Sequence, residues 1–138
     1  MATATPIFPQ TIVNSIAQIQ NSTAQALVTL VTGGANGTKI ESITATSTDT
    51  SARDVALWIT ISSVNYLLTT ISIPATAGSV NNIISVDMLR SSQFPSLAFD
   101  TNGNRYIYIA NGSVLSVACL TTVTSAKLLQ FFAQGGNY

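Results

Sequence analysis

Apolar and polar residues alternate along most of this chain with a period of two, which is the spacing of a β-strand. The alternation is clearest between residues 54 and 62, where apolar side chains share one face of the predicted strand. These are Val55, Leu57, Ile59 and Ile61, and Trp58 belongs to the opposite face. Residues 65–73 repeat the pattern after a short turn, so the two segments predict a β-hairpin.

Turns rich in glycine and asparagine join four further alternating segments into two more predicted hairpins. They are residues 25–31 with 39–47, around the turn 33–37, and residues 105–110 with 113–120, around Asn111-Gly112. Two segments predict single strands and a third predicts a strand at a sheet edge; they are residues 12–19, 82–89 and 126–133. A helix over residues 18–30 is the competing interpretation, and the Thr and Val content of that segment disfavours it.

The number of strands predicts the fold class. About eight or nine strands at a spacing of roughly 8–12 residues are typical of an all-β fold with a single antiparallel β-sandwich, here jelly-roll-like. We expect one sandwich domain over residues 11–138, preceded by an extended N-terminal arm over residues 1–10. Pro6 and Pro9 restrict the φ angles of that arm, and an extended arm of this kind can lie across a neighbouring molecule.

The charge of the chain excludes several classes of function. Five Lys and Arg balance five Asp and Glu, so the net charge is zero and charged residues make up 7% of the sequence. Nucleic-acid binding needs a basic patch, so we expect no nucleic acid as a partner. No apolar run approaches the roughly 18 residues of a membrane-spanning helix, and the first ten residues lack the features of a signal peptide. We therefore expect no membrane partner.

The scarcity of charge also predicts association with other proteins. A folded chain of this mass exposes about 6,800 Å², and ten charges protect such a surface poorly against self-association. The sequence is instead rich in hydroxyl groups, with 19 Thr and 16 Ser. Much of the surface is thus expected to be covered by protein contacts, in a homo-oligomer or on a larger assembly.

No arrangement of residues predicts catalysis, a cofactor or a metal. The chain has no His, so its serines and its single thiol, Cys119, lack the usual base, and we expect Cys119 to be a packing residue. Residues 100–104 begin like a calcium loop, but Arg105 stands where that loop needs Gly, so a turn is favoured. Residues 33–39 resemble a phosphate loop only in their glycines, since Thr38 separates the last Gly from the Lys. We expect that the protein is not an enzyme.

One polar loop contains two of the five acidic side chains with a cation between them. Asp49, Arg53 and Asp54 lie just before the Trp58 strand. A carboxylate pair can perform acid–base chemistry only where its two pKa values are driven apart. The favoured interpretation is a loop that is fixed by an Arg–Asp contact, with Arg53 also a candidate contact to a partner protein.

Two long segments and the N-terminal arm carry a resemblance to a known group of proteins. They are residues 47–79, residues 94–127 and the short arm ending in Ile-Phe-Pro-Gln-Thr. In these segments the chain resembles the small Ser/Thr-rich virion structural proteins of tailed bacteriophages, of the capsid decoration or cement type. The resemblance implies a structural protein that decorates and stabilises a capsid by binding at capsomer junctions. It further implies the major capsid protein as partner, a homotrimer, a location on the capsid surface of the virion, and synthesis in the cytoplasm of the bacterial host.

Six side chains are the candidates for contacts with partners. They are Ile7, Phe8, Arg53, Trp58, Phe132 and Tyr138. Aromatic and Arg side chains are over-represented at the centres of interfaces. Two other functions remain open: another phage virion component (a tail, fibre-base or head-completion protein), and a carbohydrate-binding β-sandwich module that would use Trp58, Tyr66, Tyr106 and Tyr108.

Overall fold

A computed structural model describes residues 8–90 and 92–138, and its strands form two antiparallel sheets packed face to face. The strands are β1 (Thr11–Gln20), β2 (Val28–Thr32), β3 (Thr38–Ser47), β4 (Arg53–Ile61), β5 (Val64–Ile73), β6 (Val86–Asp87), β7 (Ile107–Ile109), β8 (Val114–Cys119) and β9 (Leu128–Asn137). A short 3-10 helix, Asn21–Thr23, follows β1. The all-β sandwich predicted from the alternation of residues is confirmed, and the helix over residues 18–30 is wrong.

The order of the strands is that of a jelly roll. Sheet A has the order β1-β9-β3-β6 with β7 also paired to β3, and sheet B has the order β2-β8-β4-β5. The chain changes sheet at every connection except β4 to β5 and β6 to β7. Since β6 and β7 both pair with β3, the nine strands occupy eight positions, four in each sheet. Two four-stranded sheets connected in this way form a jelly roll.

The core lies between the two sheets and is built from the inward faces of the strands. Ile43 and Phe131 of sheet A and Leu57 and Leu115 of sheet B are among its buried side chains. Cys119 is also buried in this core, which confirms its expected packing position. Burial of this contiguous apolar cluster supplies the main favourable free energy of folding.

The hairpin predicted around residue 63 is confirmed. Strands β4 and β5 pair from Arg53–Ile73 to Ile61–Val64. Ser62 and Ser63 both have positive φ, 50° and 67°, as the two-residue turn of a twisted hairpin requires. Ile61, predicted to share the face of Val55 and Leu57, is exposed, because it lies beyond Thr60, the last residue of β4 that pairs with β8.

The other two predicted hairpins are wrong. The turn at residues 33–37 joins β2 of sheet B to β3 of sheet A, and Asn111-Gly112 joins β7 of sheet A to β8 of sheet B. The two turns contact each other: the Gly33 N–H donates to the Ser113 carbonyl at 2.8 Å, and the Gly112 N–H donates to the Gly33 carbonyl at 3.3 Å. Glycine permits positive φ in a corner between sheets as readily as in a hairpin, so the turn residues could not distinguish the two.

The last strand is central, whereas the sequence predicted an edge strand. Strand β9 pairs with β1 on one side and with β3 on the other. Gly135 allows this close approach, since a Cβ at that position would lie 1.9 Å from the Lys39 carbonyl oxygen. The strand predicted over residues 82–89 is also reduced, because only Val86 and Asp87 pair with β3.

Candidate functional site

The N-terminal candidates lie at or beyond the limit of the described residues. Ile7 lies outside them, and Phe8 is exposed. The Gln10 N–H donates to the Asn137 carbonyl at 2.7 Å, so the chain is attached to β9 from Gln10 onwards. The part of the predicted arm that can be described thus leaves Phe8 free for a contact.

Phe132 lies in an apolar strip on the outer face of sheet A. Ile16 of β1 and Phe132 of β9 are direct cross-strand partners. Ile12, one repeat away on β1, shares the face, and the exposed fractions of Ile12, Ile16 and Phe132 are 85%, 70% and 38%. We call these three residues the apolar strip. Phe131, next along β9, points into the core.

Trp58 lies on the opposite side of the sandwich. It is half-buried on sheet B, between Leu67 of β5 and Ser116 of β8 in the register. Together with Leu27 and Leu120 it lines a shallow groove of about 270 Å³. Trp58 and Phe132 therefore belong to different surfaces and cannot contact the same small patch of a partner.

Beyond Trp58, the end of the β4–β5 hairpin exposes a group of apolar side chains. Ile61, Val64 and Tyr66 share one face of the hairpin, and Leu67 shares the other face with Trp58. We call the four exposed residues Ile61, Val64, Tyr66 and Leu67 the hairpin surface. None of the charged residues of the chain lies between residues 55 and 86. This hairpin therefore presents an uncharged apolar end to solvent.

Arg53 is committed to contacts within the chain. Its Nε donates to Asp49 Oδ2 at 2.8 Å, its Nη1 to Thr121 Oγ1 at 3.1 Å and its Nη2 to Thr124 Oγ1 at 2.9 Å. The side chain is 15% exposed and that of Asp49 is 0% exposed. We call these four residues the Asp49 cluster. The predicted Arg–Asp contact is confirmed, and the three nitrogens of Arg53 are used in fixing loops.

The carboxylate of Asp49 is held in its charged form by donors on all sides. Burial alone would raise the pKa of Asp49. Four hydrogen bonds lower this pKa by more than burial raises it: one comes from the Arg53 side chain, two from the backbone N–H groups of Thr124 and Ser51, and one from the Thr124 hydroxyl. The pKa of Asp49 is therefore well below its ordinary value. All of these donors belong to the chain itself, so the Asp49 carboxylate holds the loops around it together.

Most of the charged side chains line one concavity, which sequence reasoning missed. Six of the ten charged residues surround a cleft of about 530 Å³ on the outer face of sheet A. They are Lys39, Glu41, Asp87, Arg90, Asp100 and Arg105, and we call this the charged cleft. Three are cations and three are anions, so the lining is neutral overall. Because its members are separated by up to 66 positions in the sequence, no local sequence pattern indicates the charged cleft.

Contacts between side chains organise the lining of the charged cleft. Lys39 Nζ lies 3.5 Å from Glu41 Oε1 and 4.4 Å from the centre of the Tyr106 ring. The Tyr106 and Tyr108 rings meet edge to face at 5.2 Å, and the neighbouring Tyr108 side chain raises the pKa of Tyr106. Tyr138 extends this aromatic group, with its ring 6.3 Å from that of Tyr108, so this candidate does not lie beside Phe132.

The turn at residues 100–104 forms part of the same lining. Asp100 Oδ1 accepts hydrogen bonds from the Asn102 N–H at 2.9 Å and the Asn104 N–H at 3.0 Å. The bond from Asn104 is the largest cause that lowers the pKa of Asp100. The expected turn fixed by Asp100 is confirmed, and its carboxylate uses one oxygen for these backbone bonds.

The other side chains with charge are few. They are Asp49, Arg53, Asp54 and Lys127. Since Asp49 is buried and paired with Arg53, only Asp54 and Lys127 bring charge to the surface outside the charged cleft. The surface outside the charged cleft includes the apolar strip and the hairpin surface.

The described part of the chain contains neither a group of metal-ligating side chains nor a membrane-spanning helix. Within residues 8–90 and 92–138 no three His, Cys, Asp or Glu side chains come close enough to hold a metal ion. The same residues contain no helix of the length and apolarity needed to cross a membrane. Comparison of the chain with protein-family models, with curated proteins and with solved structures finds no match.

Proposed function

We propose that this chain is a structural virion protein that decorates and stabilises a bacteriophage capsid by binding the major capsid protein at capsomer junctions. The observation that carries the proposal is the distribution of charge. Outside the charged cleft, the surface has two charged side chains, Asp54 and Lys127, and several large apolar ones. Lys, Glu and Asp are depleted at the centres of interfaces. A surface with so few charges therefore suits a protein that functions while bound to other proteins.

The physical requirements of the role support the proposal. A decorating protein stabilises a shell by burying area on two neighbouring subunits at once, and the free energy gained grows with contacts at well-packed apolar positions. The end of the β4–β5 hairpin and the Trp58 groove offer such positions on sheet B. The proposal involves no catalysis.

The fold adds limited support of its own. Jelly rolls occur in viral capsid domains and also in lectins, and a fold does not determine a function. The surface that we assign to the capsid is therefore specified by its chemistry. It is the end of the β4–β5 hairpin, with Ile61, Val64 and Tyr66 on one face and Leu67 and Trp58 on the other. This end combines exposed apolar side chains and the absence of charge between residues 55 and 86.

Binding to capsids tests the proposal. Phage heads that lack the protein are mixed with the purified chain, sedimented and examined for bound protein and for resistance to heat. We expect saturable binding and a higher temperature of head disruption. Failure to bind intact heads at concentrations well above those of the heads would contradict the proposal.

Carbohydrate binding is the second candidate, and the charged cleft favours it. Sugars are bound by planar polar side chains together with an aromatic ring, and the cleft combines Tyr106 with Asp, Glu, Asn and Arg side chains. A glycan array separates the two candidates: binding that is lost in Tyr106→Ala supports the sugar-binding function, and the absence of any bound glycan contradicts it. A location in the tail or fibre base is tested by separating heads from tails and measuring which fraction contains the chain.

A further inference from the structure

The four edges of the two sheets differ in how well they are protected against pairing with another strand. At one edge of sheet A, β6 and β7 have two and three residues. In sheet B, the edge strand β2 has five residues and a bulge, and the pairing of β5 is interrupted by a bulge. Short strands and bulges are the usual protections of an edge.

Strand β1 has none of these protections. It pairs with β9 over ten consecutive residues without a shift in register. It contains no charged residue and no proline, and among the described residues no strand pairs with its outer side. A long, regular, uncharged edge is a template for a further strand.

Most of the outward face of this edge is palindromic. From residue 10 to residue 18 the residues on this face are Gln10, Ile12, Asn14, Ile16 and Gln18, and Gln20 follows them at the end of β1. The sequence Gln-Ile-Asn-Ile-Gln is the same in both directions around Asn14. An antiparallel strand runs in the opposite direction, so a second copy of this strand presents each residue to its own kind.

We propose that two copies of this chain pair through β1, antiparallel, around a two-fold axis at Asn14. Asn14 then faces Asn14 of the second copy, Ile12 faces Ile16, and Gln10 faces Gln18. The axis is perpendicular to the sheet, so the outward faces of the two copies are continuous. The inward residues are also compatible, because Val13 faces Ser15 and Thr11 faces Ala17.

The pairing joins apolar surface that each copy exposes alone. Ile16 of one copy lies between Phe132 of its own β9 and Ile12 of the second copy. The two apolar strips thus become one, and their pairing brings together no charged side chains, so desolvation costs little. Cross-strand pairs of an aromatic and a β-branched residue, such as Phe132 with Ile16, are among the favourable pairs in antiparallel sheets.

The size of the contact sets the expected strength. A nine-residue strand is about 30 Å long and a sheet is about 10 Å thick, so the pairing covers about 600 Å² in total over both copies. Stable interfaces begin at about 1,200 Å². We therefore expect a reversible dimer whose population depends on protein concentration. This two-fold contact differs from the homotrimer that the resemblance implies, and it does not depend on the proposed function.

Charges placed at Asn14 test the axis directly, because each substitution meets itself in the dimer. Sedimentation equilibrium between about 10 μM and 1 mM, the range for a weak contact, measures association of the wild type, Asn14→Asp and Asn14→Lys. Each variant alone is expected to dimerise about tenfold more weakly, through repulsion between like charges. An equimolar mixture of the two variants is expected to recover the dimer, because opposite charges then meet at the axis.

Gln130→Glu is the matched control, since Gln130 lies on the same face but on the central strand β9. It is expected to dimerise like the wild type, and circular dichroism checks that every variant is folded. A wild type that remains monomeric up to 1 mM overturns the inference. So does a trimer or other oligomer that neither substitution weakens, or a mixture of variants that associates no better than each alone.

Discussion

Arg53 and Asp49 form an ion pair in which the guanidinium Nε lies 2.8 Å from the carboxylate Oδ2, with Asp49 fully buried. The pair ties the loop between β3 and β4 to Thr121 and Thr124 of the loop between β8 and β9. It therefore fixes two connections that cross between the sheets at one end of the sandwich.

Removing the charge of Asp49 is expected to destabilise the fold. Asp49→Asn leaves Arg53 without its counter-charge and turns an acceptor into a donor, which costs about 3 kcal/mol of unfolding free energy. Urea unfolding at pH 7 measures the loss. Asp54→Asn, an exposed neighbour, is the control and is expected to change the unfolding free energy by less than about 0.5 kcal/mol. Equal effects of the two substitutions would contradict the role of the cluster.

The same pair makes stability depend on acid pH. The pKa of Asp49 is below its ordinary 3.8 in the folded chain, so under acid conditions the unfolded chain binds a proton that the folded chain does not. Stability from this group is fully present above about pH 5 and is lost as pH falls below about 4 towards the folded pKa. Unfolding curves at pH 7 and pH 3 are expected to differ more for the wild type than for Asp49→Asn. A pH dependence that survives unchanged in that variant would assign it to other groups.

Gly33 is expected to be intolerant of any side chain. A Cβ there would lie 1.9 Å from the Ala110 carbonyl oxygen, which is backbone of the neighbouring corner and cannot rotate away. Gly33→Ala is expected to cost about 3 kcal/mol, measured as a shift in the urea midpoint. Gly103 has positive φ but open space around its Cα, so Gly103→Ala is expected to cost only about 1 kcal/mol. The reverse order would mean that the two corners are not in contact.

Two exposed tyrosines on opposite sheets distinguish the proposed capsid surface from the aromatic group beside the charged cleft. The exposed fractions of Tyr66 and Tyr108 are 66% and 57%, so the same substitution removes similar exposed area from each. Tyr66→Ala is expected to weaken binding to phage heads about tenfold, and Tyr108→Ala is expected to leave it unchanged. Co-sedimentation with heads measures both. A loss with Tyr108→Ala alone would move the capsid contact to sheet A.

The alternation of residues was enough to predict the all-β sandwich and the β4–β5 hairpin, because burial of one face per strand is a local pattern. The pairing partner of each strand was harder to predict from the sequence. Gly33 and Gly112 have the turn chemistry of a hairpin, yet each joins different sheets, and that choice depends on contacts between distant segments. The strand predicted over residues 126–133 ended before Gly135 and Gly136, and nothing in its local pattern indicates that β9 pairs with β1 on one side and with β3 on the other.

The candidate site was predicted only in part. The contact between Asp49 and Arg53 could be predicted because the two residues are four positions apart. The charged cleft could not, since Lys39 and Arg105 approach each other only through the pairing of β7 with β3. The composition nevertheless gives one indication. Because the chain has so few charged residues, a group of several charged side chains marks a site that differs from the rest of the surface.

The central claim is that the chain is a component of the capsid surface, and its copy number in virions tests this most directly. Particles are purified, heads are separated from tails, and the chain is quantified against the major capsid protein by mass spectrometry. The account predicts that the chain fractionates with heads, in a fixed and high ratio to the major capsid protein. Its absence from particles, or its presence only in tails at a few copies, would contradict the account.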